Sequence, residues 1–235
     1  MKGMHRQSAG IYRAAMRILA DSGARLVIRG VHVGQLQERY CEHAHNPHQV
    51  SLQHCLERVN MIAEQERDDV SIMADKVADQ AAQEGQIARY QLIGNTEGYF
   101  PSDLARIKMP FQWEDSRILY GLQMIDMALF MCGRASGIDS AKKLNDGDKA
   151  VLKIVDVIRP AIMPQSAVWY PLEKRTDYGF ITELSWKCIG AAEAAPSLTA
   201  IISPQAHARR IASLHMTSNL GNIRLCRPLQ RGAPS

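Results

Sequence analysis

The sequence predicts an α/β fold, a mixed sheet flanked by helices. Three observations carry that expectation. Segments with apolar residues at three- and four-residue spacing alternate with short β-branched runs as far as Pro160. The strand-like runs are short and apolar, as buried strands are. Turn residues fall between the segments, at Ser22-Gly23, Gly94-Asn95, Gly133 and Pro160.

Taken in order, Ile11, Ala14, Ala15, Ile18 and Leu19 predict a helix over Ser8–Ala20. Leu26-Val27-Ile28 and Val31-His32-Val33 predict a strand. The stretch Gln35–Pro47 is polar and rich in His, and reads as a loop or a short helical turn. Leu52, Leu56, Val59 and Ile62 restore helical spacing over Val50–Gln65. Val70–Ala74 predicts a short buried strand ending at Asp75, and Val77–Leu92 a helix that Gly94-Asn95 terminates. The run Ile107–Phe111 predicts another strand, which Pro110 confines to an edge or an end. Asp115-Ser116 opens a strongly apolar helix over Ile118–Cys132, and a further helix covers Lys149–Ile158. Beyond Pro160 the pattern weakens. The expectation there is a Pro-containing connection, a short element near Thr182–Ile189 and a loosely structured tail from about residue 194. The predicted organisation is an α/β domain over 1–160 and a C-terminal extension over 161–235.

Apolar residues make up 46% and charged residues 22% of the 235-residue chain, a balance that fits a globular protein rather than a disordered one. No apolar run approaches the roughly 20 residues of a membrane span, and the start MKGMHRQSAG lacks the apolar core of a signal peptide. Five scattered cysteines, Cys41, Cys55, Cys132, Cys188 and Cys226, fit reduced thiols. These features predict a cytoplasmic protein with no membrane partner. The net charge is +4, but the segment from Ala194 onward has no Asp or Glu and carries Arg209, Arg210, Arg224, Arg227 and Arg231, which leaves the remainder at −1. A basic arm of this kind suits phosphates. A solvated tail is the simpler alternative.

Two carboxylates stand out. Asp75 lies at the carboxyl end of an apolar strand, where α/β proteins build sites; a helix cap is the structural alternative. Asp126 lies in LQMIDMALF, apolar on almost every side, and is expected to be at least partly buried and to need a partner, a proton or a metal. Gln123, one turn earlier, is placed to support it. Asp115 with Ser116 reads first as a helix-start signal. The group Cys41, His43, His45, His48, His54 and Cys55 invites a zinc reading, but its spacing matches no standard pattern. There is no Walker loop, GxGxxG or GxSxG.

The stretches LQHCLERVNMIAEQERDDVSIMADK and EDSRILYGLQMIDMALFMCGR, in that order and spacing, resemble the bacterial and phage family called domain of unknown function 3800. The resemblance covers roughly residues 5 to 160. It implies a ribonuclease H-like fold in which acids on a central strand, an adjacent strand and a helix gather two Mg²⁺ or Mn²⁺ ions for phosphoryl transfer. Asp75 would be the adjacent-strand acid and Asp126 the helix acid. Asp115 would be a further metal candidate, with Gln123 and Ser116 in support. The implied activity is that of a metal-dependent phosphodiesterase, a nuclease, of phage or mobile-element type. Family members open with a strand reading roughly Tyr-Ile-Asp-Glu-Ser-Gly, and nothing like it occurs here. The expectation is therefore an N-terminally incomplete sheet and a site short of its central acids, inactive as given unless a partner supplies them. The competing expectations are a non-catalytic nucleic-acid-binding or interaction module using Arg209, Arg210, Arg224 and Arg227, or a truncated remnant.

Overall fold

Each predicted apolar run finds a place in a three-layer α/β/α arrangement. The structure, a computed structural model, describes residues 2–97, 101–138, 142–172, 197–203 and 211–216; for 2–7 and the last two segments it describes the backbone alone. The expected short element near Thr182–Ile189 lies outside the described residues.

The elements run α1 (Lys2–Asp21), β1 (Arg25–Val31), α2 (Val33–Tyr40), α3 (Pro47–Glu66), β2 (Val70–Asp75), α4 (Gln80–Ile93), β3 (Ile107–Glu114), α5 (Tyr120–Ser136), α6 (Asp146–Ile158), β4 (Ala167–Trp169), β5 (Ser197–Ser203) and β6 (Ile211–Met216). Local chemistry sets the ends. Pro47 opens the first turn of α3 behind the Asn46 side chain, which accepts from the His48 N–H. Gly94 adopts φ +74 at the end of α4, a left-handed conformation that costs a residue without Cβ nothing. Asn145 and Asp148 form a reciprocal capping box at the start of α6. His32 caps α2, its Nδ1 accepting from the Gln35 N–H at 3.1 Å. This helix occupies part of the stretch expected to be a loop.

The strands form one sheet in the order β3-β2-β6-β5-β1-β4. β5 is antiparallel to both neighbours, β1 and β6, and every other pairing is parallel. β3 is an edge, as its proline requires. Pro110 lacks an N–H, and the register with β2 shifts there, from Ser71↔Lys108 to Met73↔Gln112.

The tail is the main departure from the sequence reading. Residues 197–203 and 211–216, expected to be loosely structured, form β5 and β6 in the middle of the sheet. β6 pairs with β2 from Ser71↔Ile211 to Ala74↔Leu214. β5 pairs with β1 from Arg25↔Ser203 to Val31↔Ser197. Strand pairing joins residues far apart in sequence, and no local signal specifies the partner.

Two cores hold the layers together. On one face α1, α5 and α6 bury Met16, Leu19, Leu122, Ile125, Leu129, Ile154 and Ile158 against Leu26 and Ile28 of β1. On the other, Leu52, Leu56 and Val59 of α3 and Ile87 and Tyr90 of α4 meet Val70, Ile72, Ile107 and Phe111. Glu84 ties α4 to the edge strand, its Oε1 accepting from the Phe111 N–H at 3.0 Å and the Trp113 indole at 2.7 Å. No helix among the described residues is long and apolar enough to cross a membrane.

Candidate functional site

β2 and β3 run parallel and end level with each other, Asp75 opposite Glu114. One further bond, Lys76 N–H to the Glu114 carbonyl at 3.0 Å, closes that end. The chain then turns towards α5, and Asp75 holds the turn: its Oδ1 accepts from the Ser116 N–H at 3.0 Å. The strand-end acid is thus tied to the loop that launches the helix carrying Asp126. Asp75 is not a helix cap; α4 begins at Gln80, behind Asp79.

Asp115 builds the turn itself. Its carbonyl accepts from the Ile118 and Leu119 N–H groups at 3.0 and 3.2 Å. Its carboxylate takes the Arg117 guanidinium side-on, with Nε at 3.0 and 3.1 Å from the two oxygens and Nη2 at 2.6 Å from Oδ2. The Arg117 N–H adds a bond at 2.9 Å. The hydrogen bonds from Arg117 push the Asp115 carboxyl down to about 2, and the charges of Arg117 and Lys76 favour its ionised form further. Ser116 contributes its backbone N–H to this arrangement.

Asp126 is a correction to the sequence reading. It is exposed, not buried. The buried stripe of α5 runs through Leu122, Ile125, Leu129 and Cys132, and Asp126 lies about 100° around the helix from Ile125. Apolar neighbours in sequence put the helix in the core but not every side of it. Gln123 lies on the same flank, and its Nε2 donates to the Arg117 carbonyl at 3.0 Å, fastening the first turn of α5 to the loop before it.

Asp75, Ser116, Asp115, Arg117 and Gln123 therefore form one bonded corner. As a metal site its donor set does not fit. Both Asp115 oxygens are engaged by Arg117, and no group of three His, Cys, Asp or Glu residues among the described residues could hold an ion. β6, the strand beside β2, reads IASLHM and contains no acid. Arg209, Arg210, Arg224 and Arg227 lie outside the described residues, so the basic arm has no position relative to this corner.

A second polar cluster lies on the α3 side of β1. Arg29, not among the candidates read from the sequence, is only 5% exposed. Its Nη1 donates to the Gln165 carbonyl at 2.9 Å, and its Nε has no hydrogen-bond partner among the described residues. Burial, and then the neighbouring charge of Arg58, push its pKa down to about 10. His54, one of the residues in the zinc reading, packs its ring edge-on against Trp169 with centroids 5.5 Å apart. Burial, reinforced by Arg29 and Arg58, holds the imidazole neutral, pushed down to about 3. Cys55 is fully buried, and desolvation pushes its thiol up to about 12, so it is unreactive. Cys41 and His43, by contrast, are exposed. The signal that could have revealed this cluster is a charged residue inside the apolar strand Arg25–Val31.

No protein-family model, no curated protein and no solved structure matches the chain.

Proposed function

We propose that the chain is a nucleic-acid-binding domain of ribonuclease H-like, nuclease-related type that acts without cleaving. Three features support the fold reading: the mixed sheet with one antiparallel strand, the acid at the end of β2, and the helix-borne Asp126 that follows the edge strand. The observation that carries the loss of cleavage is the Arg117 clamp on Asp115. A corner that would need free carboxylates for Mg²⁺ or Mn²⁺ instead has a carboxylate neutralised by a guanidinium, with Lys76 beside it. No metal-dependent step belongs to this reading.

The chemistry left to the corner is binding. Arg117 is exposed, and a phosphate can compete with Asp115 for its donors. The five arginines that follow Ala194 add a sequence-independent attraction for polyanions.

Fluorescence anisotropy with labelled single- and double-stranded DNA and RNA, over a salt series, tests the proposal. Binding should weaken steeply with salt, and Arg117→Ala should reduce the slope of log K against log salt by about one. Affinity independent of salt would refute it. Cleavage assays with Mg²⁺ and Mn²⁺ run alongside. Cleavage that disappears in Asp126→Asn would replace this reading with the metal-dependent phosphodiesterase.

A further inference from the structure

α1 has two apolar faces, and the described core uses one of them. Met16 and Leu19 are buried with the core residues of α5 and α6, and Ala9, Tyr12 and Ala15 pack beside them. Ile11 and Ile18 are each 62% exposed. They lie two turns apart on one stripe, with the exposed Ala14 between them and the exposed Gly10 at its border. A Cβ built on Gly10 meets no atom within 4 Å, so the space outside the helix is open there. Apolar positions at 11, 14 and 18 have the spacing of a helix–helix seam. Apolar surface also reaches α5, where the half-exposed Phe130 stacks on Tyr12 with ring centroids 5.8 Å apart.

The charge on this helix has one sign. From Lys2 to Ala20 it carries Lys2, Arg6, Arg13 and Arg17 and no Asp or Glu. Arg13 and Arg17 are exposed and one turn apart, and no ion pair among the described residues engages them. The charges also oppose the helix dipole. The first turn holds no acid, the last turn holds no base, and Asp21 ends the helix. Cations near a helix N-terminus and an acid at its C-terminus are each unfavourable. Negative charge is therefore lacking along an exposed apolar seam.

These features select among occupants. A second copy would set α1 against α1 and bring like charges together. A bilayer surface takes up bulky apolar side chains, to which Gly10 and Ala14 add nothing, whereas small residues let another helix come close. A polynucleotide would use the arginines but has no need of Ile11 and Ile18. We propose that the outer face of α1 is the docking surface for an acidic amphipathic helix of a partner protein. Apolar side chains of that helix would cover Ile11, Ala14 and Ile18, and its carboxylates would pair with Arg13 and Arg17. An antiparallel arrangement would set its negative end beside the turns that carry Lys2 and Arg6.

Fluorescence anisotropy on the full chain tests this with three labelled probes: a synthetic heptad peptide with Leu at positions a and d and Glu at e and g, its counterpart with Lys in place of Glu, and oligo-dT. Repulsion between the glutamates keeps the free acidic peptide from pairing with itself. The acidic peptide should bind with Kd of about 10 μM or tighter, and the Lys peptide at least about tenfold more weakly. Ile11→Ser/Ile18→Ser should weaken the acidic peptide by about tenfold or more and leave oligo-dT unchanged. Arg13→Glu/Arg17→Glu should reverse the preference, towards the Lys peptide. All four positions are exposed, so both variants should fold, and either alone carries the test. No binding of the acidic peptide, equal binding of the two peptides, or undiminished binding in a folded variant would each overturn the proposal. Loss of oligo-dT binding in the isoleucine variant would give the face to nucleic acid instead. A dimer in sedimentation velocity that dissociates in that variant would give it to a second copy, and either result overturns the proposal. The face shares no residue with the Arg117 corner, so failure of the peptide arm leaves the function proposed above standing.

Discussion

Acidification should act on His54. The imidazole sits among Arg29 from β1, Arg58 from its own helix and Trp169 from β4, and its pKa is pushed down from 6.5 to about 3. A base whose folded pKa is depressed binds its proton more readily in the unfolded chain. Stability is therefore unaffected above about pH 6.5 and falls as pH drops through the window from 6.5 towards 3. Between pH 7 and pH 5 the linkage amounts to about 2 kcal/mol, or nearer 1 when water at the partly exposed ring edge is allowed for. Glu57 acts in the opposite sense, since burial raises its carboxyl pKa and protonation then favours the folded state. The comparison that isolates His54 is urea unfolding of the wild type and His54→Phe at both pH values. The wild-type midpoint should move down relative to that of the variant by about 0.5–1 M, taking a slope of about 2 kcal/mol per molar. Identical pH dependence in the two proteins, or a His54 ring proton whose NMR shift titrates near pH 6.5, would refute the reasoning.

Other perturbations follow from the same geometry. Arg117→Ala should raise the Asp115 carboxyl from about 2 part of the way towards the ordinary aspartate range, read as the midpoint of its carboxyl ¹³C shift, because the residue 117 N–H and Lys76 remain; an unchanged midpoint would refute the guanidinium as the main cause. Asn145→Ala removes the capping box of α6 and should lower stability by about 1 kcal/mol in a urea titration. Ile125→Ala, at a fully buried position under α1 and α6, should cost about 2–5 kcal/mol, whereas Asp126→Ala on the exposed flank should stay within about 0.5 kcal/mol.

The sequence was most legible where period and caps agreed. α3, β2 and α4 fall where Leu52, Leu56 and Val59, the run to Asp75, and the Gly94 stop put them. α2 was obscure because Leu36 is its one buried residue, so it has almost no apolar stripe. Asp126 was misjudged because α5 is apolar enough to blur the boundary between its buried stripe and its flanks. Ser197–Ser203 and Ile211–Met216 are short strands whose partners lie far back in the chain, and composition alone suggested a tail. Half of the corner was readable. Asp75 stood out as a strand-end acid, but the Arg117 clamp depends on a turn that sequence does not specify.

The position of β5 and β6 has a consequence for biosynthesis. β1 and β2, made early, never touch; the strands between them are made last. As the nascent chain emerges, β1 can gather α1, α3 and α6, and β2 can gather α4 and β3. These half-sheets expose facing edges until residue 216 is available. Completion requires pairings across about 140 to 180 residues, a high contact order that slows folding. The open edges of the waiting halves are the surfaces on which chaperones would act, and on which a stalled chain would aggregate.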